Sequence, residues 1–377
     1  MRKLGLLIAV GMVAAACGQP ADVAVPAETT AAETTTPAPP ETGPTTEATT
    51  ATTEPVPDKL VIISHDSFAS GVTEETFAAF TAETGIEVEV LPAGDAGSMV
   101  NQAILTKDNP LADVLFGVDD TFLSRALDAG IFVPYTSPLL DVVPDDLERD
   151  PERRVTPIDF GDVCLNYDVA AFAELGVDPP SGLDDLIDPT YEGMLAVENP
   201  ATSSPGLAFL LATIGRYGDP GWQDYWEALV ANGVRVESDW DSVYYGAFTR
   251  YGGDRPIVVS YASSPPAEVI FSDPRPDTAP TGVVTDGCYR QIEFAGILQG
   301  TESPEAAGNL IDFMLSKEFQ EGIPLTWFVF PANETAELPA EFVEFTVIPD
   351  APVTLDPADI EANREAWIDA WTGIVLP

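Results

Sequence analysis

From residue 60 onward, short apolar runs alternate with stretches of helical periodicity. That alternation restricts the chain to an α/β fold with an open, largely parallel sheet covered by helices. Leu60-Val61-Ile62-Ile63-Ser64 is a continuous apolar run, as in a strand buried on both faces. Residues 73–84 follow with Phe77 and Phe80 at helical spacing, then Gly85 as a stop. Residues 86–91 alternate as a strand, 99–105 read as a helix and 113–116 as a strand. A helix over 121–129 closes at Gly130. In such sheets ligands gather at the carboxyl ends of the strands. The polar clusters Ser64-His65-Asp66-Ser67, Gly94-Asp95 and Gly117-Val118-Asp119-Asp120 fall there.

The middle of the chain repeats the pattern. Residues 163–166 and 195–197 are strand-like, while 206–217 and 221–232 are helical, the second with Gly233 past its end. Residues 256–261 form a strand that runs into a Ser-rich segment, and 289–295 alternate as another. One long amphipathic helix is expected over 303–319 and another over 356–371. In the latter, Trp367 and Trp371 stand four apart as core packing. A length of 377 residues suits two packed units. The expected division is 58–162 for lobe 1, 163–288 for lobe 2, and 289–377 for the return to lobe 1 with the C-terminal helices. Ligand would lie in the cleft between hinged lobes.

The N-terminus is of another kind. Arg2 and Lys3 precede an apolar run over 4–16, too short to span a bilayer and built like a secretory signal. Ala14-Ala15-Ala16-Cys17 resembles a bacterial lipobox, with Ala14 where Leu is usual, so Cys17 is the expected lipidation site. Cleavage after an Ala-x-Ala is the alternative. Residues 18–57 hold 12 Thr and 8 Pro with no Lys, Arg or aromatic residue. Such a segment cannot offset its ordering entropy and reads as a tether spanning roughly 35 Å. The anchor would hold the protein outside the cytoplasm, at the membrane but not through it.

The net charge of −46 argues against nucleic acid or an anionic membrane surface as the main partner. One His and three Cys argue against zinc clusters and most His-based catalysis. No cofactor or metal is expected. Cys164 and Cys288 remain for a disulfide across the crossover strands, or as two buried thiols.

Several stretches, in order, resemble the thiamine-binding proteins of bacterial ABC importers. They are His65-Asp66-Ser67-Phe68-Ala69, the run Ala112 to Asp119, and Asn199-Pro200-Ala201-Thr202-Ser203-Ser204-Pro205-Gly206-Leu207. Trp240 ahead of Tyr244, Val259-Ser260-Tyr261-Ala262-Ser263-Ser264-Pro265, Ile323-Pro324 leading to Trp327, and Arg364-Glu365-Ala366-Trp367-Ile368 complete the set. The resemblance implies a two-lobed type II periplasmic-binding-protein fold and no catalysis. It implies binding of thiamine or its phosphate esters, delivery to a permease and ATPase, and a monomer. Familiar members carry Tyr where this chain has His65, which reads as a polar residue at the cleft edge.

Thiamine is a permanent aromatic cation, and such a ligand calls for aromatic faces and carboxylates. The resemblance places Trp240, Tyr261 and either Trp327 or Phe328 around its rings. Asp66, Ser67, Gly117 and Asp119 lie at strand ends, where they would meet the pyrimidine. Thr202, Ser203 and Ser204 lead into a helix and would meet a hydroxyl or phosphate arm, or serve only as its cap. The alternatives are ferric-iron capture in the same fold through Tyr244-Tyr245, an extracellular carboxylate-based hydrolase, and a cell-wall adhesion module.

Overall fold

The computed structural model describes residues 56–376. The lipidation site expected at Cys17, and the tether up to residue 55, lie outside them. The first part of the chain contains β1 (Lys59–Ser64), α1 (Asp66–Gly71), α2 (Ala78–Thr84), β2 (Glu87–Pro92), α3 (Ala96–Leu105), β3 (Val114–Asp119), α4 (Leu123–Asp128) and β4 (Phe132–Val133). The middle contains β5 (Thr156–Asp168), α5 (Val169–Leu175), β6 (Leu195–Glu198), α6 (Ser204–Tyr217), α7 (Gly221–Ala231), β7 (Arg235–Glu237), β8 (Ile257–Tyr261) and α8 (Ser264–Ile270). The last part contains β9 (Thr281–Leu298), α9 (Pro304–Leu315), α10 (Lys317–Thr326), β10 (Phe330–Pro331), α11 (Ala340–Phe345) and α12 (Pro357–Val375).

The strands run in the order β2-β1-β3-β9-β5-β8-β6-β7, with β4 on β9 and β10 on β5. β1 pairs parallel with β2 and β3, and β6 pairs parallel with β7 and β8. Two parallel groups therefore flank the long antiparallel pair β5 and β9. These two strands pair at both their ends, with a register break between Val163 and Leu165. Cys164 and Cys288 sit at that break and are joined by a disulfide. The bond fastens the two strands that connect the parallel groups.

Several elements differ from expectation, most of them for a local reason. The single helix expected over 303–319 is two helices. Ser316 adopts an extended conformation between them (ψ 150°), and its hydroxyl accepts from the Phe319 N–H to cap α10. The helix expected from residue 73 begins only at Ala78. Before it, Thr73 and Thr76 spend their hydroxyls on nearby backbone N–H groups, which favours turns over helix. Helix α1 was not expected at all. Its cap is His65, whose Nδ1 accepts from the Phe68 N–H. β5 and β9 also extend well past the runs expected at 163–166 and 289–295, because long-range pairing sets strand length more than local preference does.

Trp222, Trp226 and Trp371 are among the largest fully buried side chains. Trp371 meets Trp226 edge-on at 5.5 Å, which seats α12 on α7. The same helix reaches α4 through Arg364, whose guanidinium lies 5.5 Å from the Phe122 ring. Trp371 is thus core, as its spacing implied, and Trp367 packs half-buried beside it.

Candidate ligand-binding site

The strand ends deliver polar groups to one cavity of about 440 Å³. On one side are His65 and Ser67 after β1, Asp95 after β2, and Glu293 within β9. Facing them are Ser204 at the start of α6, Trp240 after β7, and Tyr261 and Ser264 at the end of β8. Trp327 and Phe328, after α10, close a third wall.

The aromatic surface is built mainly on a π-helical turn over Ser242–Ala247, a geometry often found at functional sites. It carries Tyr244, stacked on Trp240 at 4.9 Å and 13°, and Tyr245, edge-on to Trp240 at 5.4 Å. Trp240 Nε1 donates to Ser260 Oγ at 3.0 Å, which fixes the indole before any ligand arrives. Phe328 has a positive φ of 63°, a conformation costly for a bulky residue, and its ring meets Phe271. Trp327 lines the cavity but also packs edge-on against Phe68 at 4.7 Å. Trp327 and Phe328 both line the cavity.

Of the residues singled out from sequence, Ser67, Ser204, Trp240, Tyr261, Trp327 and Phe328 line the cavity. Asp66, Gly117, Asp119, Thr202 and Ser203 stand off its wall, and each has a structural task. Asp66 Oδ1 accepts from the Gly94 N–H, tying the β1 and β2 ends together. Gly117 has φ +98°, and a Cβ there would lie 2.2 Å from His65 Cδ2, so the glycine gives room to the imidazole rather than to a ligand. Asp119 is fully buried, and its Oδ1 accepts from Thr121 and from the Phe122 N–H, organising the turn into α4. Thr202 Oγ1 donates to the Ser238 carbonyl. Ser203 is the buried N-cap of α6.

Sequence reasoning missed Glu268 and Glu293. Each lies in an otherwise apolar or strand-like stretch, and nothing local marks it as a cavity residue. Glu268 accepts from Tyr244 Oη at 2.9 Å, Tyr251 Oη at 2.6 Å and Arg250 Nε at 2.9 Å. Burial and the Glu268 charge raise the pKa of Tyr244 well above the usual value, so its phenol stays protonated. Glu293 faces His65 Nε2 at 3.5 Å and joins a chain through Gln291 to the Tyr261 hydroxyl. Burial opposes charge on His65, but Glu293, with Asp95 and Asp119 behind it, outweighs burial and raises its pKa. Burial raises Asp95 as well. Asp119 is pushed to about 7 by burial and by the charge of Asp120, and Asp120 to about 6 by burial. Aromatic faces beside a surplus of carboxylates form a receptacle for an organic cation.

The chain is similar to known proteins along most of its length. The family of bacterial extracellular solute-binding proteins matches residues 109–345. The thiamine-binding periplasmic protein of Escherichia coli K12 is 31% identical over 317 residues, covering 83% of this chain and 92% of that one. That of Brucella abortus is 30% identical over 319 residues, with 83% and 91% covered. A solved periplasmic thiamin binding protein superposes with a TM-score of 0.74 at 28% identity, covering 84% of this chain and 96% of that one. The chain accordingly has the two-lobed type II periplasmic-binding-protein fold. These relatives are binding proteins rather than enzymes. The chain belongs to the bacterial extracellular solute-binding proteins and, within them, to the thiamine-binding periplasmic proteins.

Proposed function

We propose that this protein captures thiamine or its phosphate esters outside the cytoplasm and delivers them to the permease and ATPase of an ABC importer. It acts as a monomer, held to the membrane by a lipid on Cys17 and lifted from it by the tether over 18–57. Lobe 1 comprises 58–162 with the return over 289–377, and lobe 2 comprises 163–288.

The observation that carries this reading is the pre-set Trp240–Tyr244 stack beside Asp95 and Asp241 in one cavity. An aromatic cation gains from the ring faces and from the unpaired carboxylates together. Tyr261, Trp327 and Phe328 supply the remaining apolar surface, and Ser67 and Ser204 the hydroxyls. Ferric iron is less suited, because Tyr244 gives its hydroxyl to Glu268 and is held as a phenol rather than a phenolate.

Calorimetric titration of ligand-stripped protein with thiamine tests the reading. Saturable one-to-one binding is expected. Absence of both heat and thermal shift with thiamine, together with a visible charge-transfer band on adding ferric iron, would overturn it.

A further inference from the structure

Glu268, on α8, lines the cavity although its side chain is buried. Its carboxylate joins two other segments to that helix. Oε1 accepts from Tyr244 Oη in the π-helical turn at 2.9 Å. It also accepts, at 2.6 Å, from Tyr251 Oη in the 3₁₀ turn over Thr249–Tyr251. Oε2 accepts from Arg250 Nε at 2.9 Å. Arg250 Nη2 donates onward to Ser272 Oγ at 3.3 Å, and that hydroxyl returns to the Glu268 carbonyl at 2.6 Å.

The rings tied down in this way form one cluster on the cavity wall. Tyr251 meets Tyr244 at 5.7 Å and Tyr245 at 4.9 Å, and Tyr244 carries the stacked Trp240. Arg250 is the permanently cationic side chain of the lining, among the described residues, and it stands at this wall. Its guanidinium already lies 6.0 Å from the Tyr251 ring centroid. A guanidinium free to move there would repel an incoming thiazolium and compete with it for an aromatic face. Pairing with a buried carboxylate offsets the charge and fixes where the guanidinium points.

Resting on the thiamine reading above, we propose that Glu268 sets the site's preference for a cationic ligand by holding Arg250 in an ion pair, so that the arginine does not act as a rival cation at the aromatic wall. Glu268 is a positioning residue: it acts through Arg250 and the two phenols. A carboxylate that only braced the wall would serve a charged and an uncharged ligand alike. One that masks a cation serves the charged ligand alone.

The test compares thiamine with an isosteric analogue in which a neutral thiophene replaces the thiazolium. Both are titrated calorimetrically into the full chain, with thermal midpoints as the control for folding. Glu268→Gln keeps the side chain's size and an oxygen for the phenols but unmasks Arg250. It is expected to lower the thiamine-to-analogue affinity ratio about tenfold, the scale of one unpaired charge near the ligand. Adding Arg250→Gln removes that cation, so the double variant is expected to return to within about threefold of the unmodified ratio. The double variant leaves no lone charge in the wall and carries the test if Glu268→Gln alone does not fold. An unchanged ratio in Glu268→Gln, whatever loss the two ligands share, would make the residue a brace and overturn the proposal. A ratio that stays low in the double variant would overturn it too, since Glu268 would then attract the ligand directly. Equal binding of both ligands by the unmodified protein would do the same. Failure of the unmodified protein to bind thiamine would instead remove the reading on which the proposal rests.

Discussion

Trp240→Ala is expected to weaken thiamine binding by about 2 kcal/mol, or about thirtyfold, the scale of a desolvated cation–π contact. The indole is stacked on Tyr244 and tethered to Ser260 Oγ, so it meets the ligand without first paying to become ordered. Trp240 is half-buried beside a small cluster of Tyr244, Phe248 and Val258, set apart from the main core. The variant should therefore fold, and its thermal midpoint is the control. Unchanged affinity in a folded Trp240→Ala protein would remove this residue from the site.

The second large effect concerns pH. Asp119 rises from 3.8 to about 7 through burial and its neighbour Asp120, which itself rises to about 6. His65 is also raised, despite burial, by Glu293. All three bind protons more tightly when folded. Their contribution to stability is fully present below the unfolded values, near 4 for the acids and 6.5 for His65. It is lost as pH rises through the folded ones. Asp150 and Asp239, whose pKa values are lowered, act in the opposite sense but only below pH ~4. The ligand-free protein should therefore melt several degrees higher at pH 5 than at pH 8, and Asp119→Asn should flatten that slope. A melting temperature that rises between pH 5 and pH 8 would contradict this account of the buried acids.

The alternation of apolar runs and helical stretches was enough to place most strands and the helices between them, because buried strands and amphipathic helices carry local patterns. Long-range pairing carries none, so the full extents of β5 and β9 were out of reach. The same division holds at the site. Trp240 and Tyr261 stood out because aromatic residues flanked by acids and serines are poor candidates for core. Glu268 and Glu293 were silent, because only the closing of the chain sets them against Tyr244 and His65. Asp119 and Gly117 stand off the cavity for one reason: a strand end near a cavity also needs residues that build its turn and make room for its neighbours. Asp119 organises α4 and Gly117 admits the His65 ring.

The central claim is that an aromatic cation is held on the Trp240 face above a floor of carboxylates. A crystal structure of the thiamine complex measures this directly. The expected result is a thiazolium or pyrimidine ring within about 6 Å of the Trp240 centroid, between it and the Tyr261 side of the cavity, with Asp95 or Asp241 toward the cationic or amino groups. Thiamine bound elsewhere, or in the cavity with Trp240 and both carboxylates unengaged, would contradict the account.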